Sequence, residues 1–273
     1  MPFDNNLKNM QTPGRVHALC KLLAHGSQTQ DRLMELLQPN SDRAQVKEVY
    51  RLALNGGLVK LGEDKKVHLQ VPEQIVFDRK EFQNYVSQLA FNNNDFVFGK
   101  FTAWVMTRGE KVLNETKDQL SDSFFNDVTR QYTKNREFND TNINGWVTWA
   151  NYFGLGHTMN GKFIVNPANR IQTELENDKQ ALPSGEMIPF RTFMKWLGEK
   201  CPELDGGNLN RPFNTQYSSQ QLSFALSLAL STLHDMKIIS LQNTRDIEDI
   251  WYLSDMSTHH IPNQVTEIMV LKG

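Results

Sequence analysis

Residues 40–70 read NSDRAQVKEVYRLALNGGLVKLGEDKKVHLQ, a helix pattern that runs into a tight two-stranded hairpin. Arg43, Lys47 and Arg51 recur every four residues, and side chains four apart lie one above another on one helix face. Val46, Val49, Tyr50 and Ala53 occupy the opposite face, at the spacing a buried stripe needs. One helix thus presents a core face and a basic face. Asn40 or Ser41 is placed to cap its start. Asn55-Gly56-Gly57 ends it with residues that tolerate a left-handed backbone. Leu58, Lys60 and Val67-His68-Leu69 then flank Gly62-Glu63-Asp64-Lys65, a hairpin turn.

Upstream, Val16, Leu19, Cys20, Leu22 and Leu23 form a helical apolar stripe that ends at His25-Gly26. Ser27 with Gln30 reads as a capping box opening a second helix, whose buried side is Leu33, Leu36 and Leu37 and which Pro39 stops. Three helices and a β-wing over 16–70 resemble the winged helix superfamily, by pattern rather than by signature residues. The resemblance implies a third helix lying on a DNA groove, and it names neither a substrate nor a reaction.

Working outward, the chain divides into three expected segments: 1–71, 72–184 and 185–273. The middle reads as helical. Asp78 caps a helix through Phe82, Tyr85, Val86 and Leu89, and further helices carry Phe96 to Val105, Leu120 to Val128, and Trp146 to Tyr152. Asn160-Gly161 is a hairpin turn and Asn166-Pro167 opens another helix, so a degenerate winged unit fits here too. The last segment repeats the plan of the first. A helix follows Pro189-Phe190, an apolar helix spans 220–236, and Ile238 to Leu241 with Ile250 to Leu253 make a second wing-like hairpin. The expected fold is mainly α with small β-wings (α+β), with tandem winged units at both ends of a helical middle.

The 273 residues carry a net charge of -2, which gives no general expectation of nucleic-acid binding. The distribution is more telling. Residues 1–71 hold 10 Lys and Arg against 7 Asp and Glu; 72–184 hold 12 against 14; 185–273 hold 7 against 10. Only the first segment has the sign that attracts phosphate. The helix at 220–236 has no Lys or Arg between Leu222 and Asp235, and its polar side reads as Ser223, Ser227 and Ser231. Asp246, Glu248 and Asp249 on the following hairpin would repel phosphate. That unit is expected to pack internally, or to hold a protein partner or a second copy of the chain.

The candidate DNA-binding residues are therefore Arg43, Lys47 and Arg51 for phosphates, Gln45 or Arg43 for base edges, and Lys65 and Lys66 on the wing. The plainer reading is a solvated face balanced by Glu48 and Asp42. The tryptophans and phenylalanines of 96–153 suggest a base-stacking platform, centred on Trp146 and Trp149, but helical spacing favours core.

No P-loop and no GxSxG elbow occurs, and Gly154-Leu155-Gly156 lacks the third glycine of a dinucleotide site. Glu63-Asp64-Lys65 lacks an acidic residue on a preceding strand to complete a metal site, and His259-His260 has no companion at ligand spacing. Asn114-Glu-Thr116 and Asn139-Asp-Thr141 match glycosylation acceptors without a secretory signal. No catalytic residue, metal or cofactor is expected, and no membrane contact, since no run approaches the ~18 apolar residues of a spanning helix. Cys20 and Cys201 form no framework, so a cytoplasmic protein with reduced thiols is expected.

Trp146 to Gly156, Pro202-Glu-Leu-Asp-Gly-Gly207 and the helix and wing from Ser223 to Leu253 are similar to the DpdG family of bacterial accessory proteins. The resemblance covers about half of the chain. That family belongs to gene islands that insert deazaguanine bases into DNA and restrict unmodified DNA. It implies a DNA-processing or phage-defence accessory subunit rather than an enzyme, and the charge asymmetry between the two end segments adds the expectation of duplex DNA at one end and a protein at the other. The competing expectation is a protein–protein interaction scaffold that touches no nucleic acid.

Overall fold

The computed structural model describes residues 3, 10–38, 43–130, 138–245, 247–254 and 263–271. The fold is mainly α with small antiparallel sheets. Two compact units emerge, Met1–Phe98 with Thr116–Phe153, and Gly99–Glu115 with Gly154–Gly273. The middle segment of the sequence contributes to both.

In the first unit, α1 (Pro13–Ala24) starts with Pro13 at its first position, where a missing N–H costs nothing, and buries Val16, Leu19, Cys20 and Leu23. The short β1 (Gln28–Thr29) leads into α2 (Gln30–Leu37), whose cap is Thr29, accepting from the Arg32 amide at 3.3 Å. Ser27 is therefore not the cap. Residues 28 and 29 are drawn into strand pairing opposite Val67 and Lys66, which places the helix start two residues later. Helix α2 buries Leu33 and Met34, while Leu36 is 43% exposed. Helix α3 (Ala44–Asn55) buries Val46, Val49, Tyr50, Leu52 and Ala53. Its expected caps, Asn40 and Ser41, lie outside the described residues, as does Asp42. Strands β2 (Val59–Leu61) and β3 (Lys66–Leu69) close a three-stranded antiparallel sheet of order β1-β3-β2.

Helix α4 (Glu73–Phe77) returns the chain to α1, where Val76 carbonyl receives a 2.7 Å hydrogen bond from the His17 ring. Asp78 caps α5 (Arg79–Phe91) through two amides, as its sequence predicts, and Phe82 stacks on His17 at 4.3 Å. Helices α6 (Val97–Thr107) and α7 (Lys111–Asn114) follow. Helix α8 (Lys117–Phe124) opens on a capping box between Thr116 and Gln119 and ends in a π-turn at Phe125–Thr129. Helix α9 (Asp140–Tyr152) opens on a second box between Asn139 and Asn142, so the glycosylation-like Asn139-Asp-Thr141 is a helix cap. Trp146 and Trp149 are buried, with the Trp149 indole N–H on the Gln11 carbonyl. They are core, and no stacking platform is open there.

The second unit contains the hairpin β4 (Gly156–Met159) and β5 (Lys162–Val165), turning at Asn160-Gly161 with φ of 51° and 77°. Both central residues are left-handed, as this type of two-residue hairpin requires. Then come α10 (Ala168–Asn177), β6 (Met187–Pro189), α11 (Phe190–Lys200), α12 (Phe224–Asp235) and β7 (Ile239–Gln242). Strands β8 (Trp251–Tyr252), β9 (Gln264–Val265) and β10 (Glu267–Val270) complete it. The expected hairpin between Ile238–Leu241 and Ile250–Leu253 does not form. Strand β7 pairs with β10, β10 pairs with β6, and β8 pairs with β9.

This pairing reveals a closer repeat than the sequence suggested. The order helix, strand, helix, helix, strand, strand occurs as α1-β1-α2-α3-β2-β3 and again as α10-β6-α11-α12-β7-β10. In each, the first strand pairs with the last and the last with the middle one, giving β1-β3-β2 and β6-β10-β7. Strands β8 and β9 are an insertion between β7 and β10.

Candidate nucleic-acid interface

Helix α3 and the β2–β3 hairpin carry the predicted site. Lys47 and Arg51 are exposed, and Arg43, at the N-cap position, is half-buried. These three share one side of the helix. Gln45 does not join them. At about 100° per residue it lies some 200° around α3 from Lys47. It is half-buried and lines a cleft with Arg15 and Ala18 of α1 and with Leu37 of α2. The two-residue offset in the sequence already contains this separation.

The basic stripe is not a bare row of charges. Arg51 forms a 2.7 Å ion pair with Glu48, one turn back. Such half-exposed pairs contribute little stability, yet Glu48 offsets part of the field Arg51 would project. Lys47 stands exposed between the two arginines.

At the hairpin tip, Glu63, Asp64, Lys65 and Lys66 are all exposed, two anions beside two cations. Asp64 folds back across the turn, accepting from the Lys66 amide at 3.0 Å and from the His68 ring at 2.9 Å. The His68 hydrogen bond, then the Lys66 amide, hold its carboxyl below the usual range, so it stays anionic. Lys65 takes a left-handed backbone, φ 59°, which lets the turn close. Strand register adds a cation that spacing alone did not single out. Lys60 pairs with His68, and alternation along a strand puts Lys60, Lys66 and His68 on one sheet face, opposite buried Val59 and Val67.

Helix α12 holds the position equivalent to α3 and is built differently. Its polar side, Ser223, Ser227 and Ser231, is buried. Ser223 caps the helix, donates from its hydroxyl to Asp205 at 2.6 Å and from its amide to the same carboxyl at 2.7 Å. Ser227 accepts from the Ser254 amide at 3.0 Å, and Ser231 donates to the Ser227 carbonyl at 2.7 Å. Every residue from Leu222 to His234 is buried or half-buried. On the β7–β8 connection, Asp249 is taken up by Arg191 at 2.7 and 2.8 Å, with Gln220 as a second partner. Asp246 lies outside the described residues, as do His259 and His260.

Among the described residues no group of three or more His, Cys, Asp or Glu is placed to hold a metal ion, and no helix is long and apolar enough to cross a membrane. Both cysteines are buried thiols; burial pushes Cys20 up to about 12, far from thiolate chemistry at neutral pH. No curated protein and no solved structure matches the chain. A family does match, across the cationic helix and from the first copy of the repeated order into the second as far as β7: over residues 6–247 the sequence fits the DpdG-like family, and the chain belongs to it.

Proposed function

We infer that the chain is an accessory protein of a DNA-modification system, as membership of the DpdG-like family suggests, and that its first unit contacts duplex DNA. In this reading the two copies of the repeated order are winged helix modules. Arg43, Lys47 and Arg51 meet phosphates from α3, and Lys60, Lys65 and Lys66 approach the backbone from the wing. The observation that carries the reading is the contrast between α3 and α12. The same topology presents exposed cations in one copy and a buried, cation-free helix in the other. The acidic 185–273 segment is left for a protein partner or a second copy of the chain. The chain itself is not an enzyme in this reading and takes no cofactor.

The test is a titration of labelled duplex at several salt concentrations. Reversing Arg43, Lys47 and Arg51 to Glu should weaken binding at least tenfold. For every phosphate that is no longer neutralised, the dependence of log K on log salt should also flatten by about 0.9. Unchanged affinity at low salt would sink the proposal. The Arg51–Glu48 pair and the balanced hairpin tip favour a second reading, a scaffold whose modules bind only protein. Retention of a partner independent of salt, with no retention on DNA resin, would decide for it.

A further inference from the structure

The residue Gln45 lines a half-open cleft on the first unit. It has a volume of about 320 Å³ between α1, the end of α2 and the first turn of α3. Its wall is apolar, from Ala18, Leu37, Val46 and Val49, and its polar groups are few: the Arg15 guanidinium and the carboxamides of Gln38 and Gln45. A concave, mostly apolar site of this size with a handful of polar groups is what a small ligand requires. Among the described residues no acidic side chain lines it.

Arg15 is exposed at the rim and spends one Nη1 hydrogen bond on the Met10 carbonyl at 3.1 Å. Its Nε and Nη2 edge is left for a ligand. A guanidinium edge matches a carboxylate in charge and in two-point geometry. Gln45 is half-buried, and its carboxamide lies on the far side of α3 from Lys47, so an occupant here leaves the cationic face of α3 uncovered.

We propose that this cleft binds a small carboxylic acid with a branched or aromatic apolar body. The carboxylate pairs with Arg15, the body lies on Leu37, Val46 and Val49, and Gln45 bonds to its polar edge. The site stands on its own lining and does not depend on DNA binding by α3. The same chemistry is offered by the free C-terminus of a leucine-ended chain, and the test below includes such a peptide to separate it from the free acid.

Methyl-resolved NMR of the full chain tests this with four probes: phenylacetate, 4-methylpentanoate, phenylacetamide, and a tetrapeptide ending in leucine with a free carboxylate. Either acid should give saturable shifts at Ala18, Leu37, Val46 and Val49 with a Kd on the order of millimolar, as expected for so few atoms. The amide should bind roughly tenfold more weakly, the worth of a charge-assisted hydrogen bond. Arg15→Gln should bring the acids down to the amide's level without moving the amide. Ala18→Trp fills the cleft from an exposed position, so the fold is retained and all binding should be lost. No saturable shift up to about 20 mM, beyond the affinity floor expected for a fitting ligand, overturns the proposal. So do equal affinities for acid and amide, binding that survives Ala18→Trp, or binding by the tetrapeptide alone.

Discussion

Arg170 engages three partners at once in the second unit. Buried on α10, it donates from Nε to Glu203 at 2.9 Å and from Nη2 to the Lys200 carbonyl at 3.0 Å, and its third edge pairs with Glu174. Burial pushes the Glu203 carboxyl up, against the pull of Arg170. Glu203 lies in the Pro202–Gly207 stretch, whose turns wrap the end of α11. There Gly207 sits so close to Pro202 that an added Cβ would fall 2.4 Å from its carbonyl oxygen. Arg170→Met would strand two buried carboxylates, and should cost about 3–5 kcal/mol in urea denaturation. Glu203→Gln keeps an acceptor for Arg170 and should cost clearly less.

Two histidines set a pH response at the same scale. Burial lowers His17 and His234 from 6.5, and Nδ1 of His234 accepts the Leu241 amide at 3.0 Å, which a protonated ring cannot do. The unfolded chain then binds these protons more tightly than the folded one. Their contribution is complete above about pH 6.5 and is lost as pH falls through the depressed folded values. Stability measured by urea should fall between pH 7 and pH 5, and His234→Gln should reduce that slope.

At the scale of elements, what the sequence disclosed depended on how local the cause was. Helix α3, the Asp78 cap and the Asn160-Gly161 turn were legible because each is settled by residues within one or two turns of chain. Helix α12 was legible as apolar and free of lysine and arginine, but the place of its serines was not: serine is polar on every scale, while here three serines bury their hydroxyls against Asp205, Ser254 and the helix's own carbonyl. A partner distant in sequence decides that, and spacing does not show it. The second sheet was misread for the same reason: β7 finds β10 across the β8–β9 insertion, and no turn signal marks a pairing of that kind. Of the site residues, the four-residue recurrence gave Arg43, Lys47 and Arg51 their common face, while Gln45 needed its angle around the helix and Lys60 needed a register. The burial of α12 has a measurable consequence. A solvent-facing serine can be changed to alanine within about 0.5 kcal/mol. Ser227→Ala instead strips the amide of half-buried Ser254 of its acceptor and empties a buried hydroxyl site, and should cost about 1–2 kcal/mol by denaturant unfolding.

At the scale of the molecule, each compact unit is assembled from two stretches of chain. The repeated order in the first unit ends at β3, but the unit's core does not. Phe82 covers His17, Val76 accepts from it, and Phe91, Phe98, Phe153 and Trp149 form one aromatic cluster with centroids 5.4–5.9 Å apart. Two of these rings come from the 116–153 stretch. A fragment ending at residue 71 would expose the apolar surface that α4, α5 and α9 cover, and a fragment ending at residue 98 would still lack Trp149 and Phe153. Neither should give the dispersed amide spectrum of a packed domain, and both should be cut rapidly by protease. Joining 1–98 to 116–153 through a short flexible linker restores the missing rings, so this variant should recover dispersion and protease resistance. If the 1–71 fragment alone folds cooperatively and binds DNA like the full chain, the core beyond β3 is dispensable, and the first unit is smaller than its packing indicates.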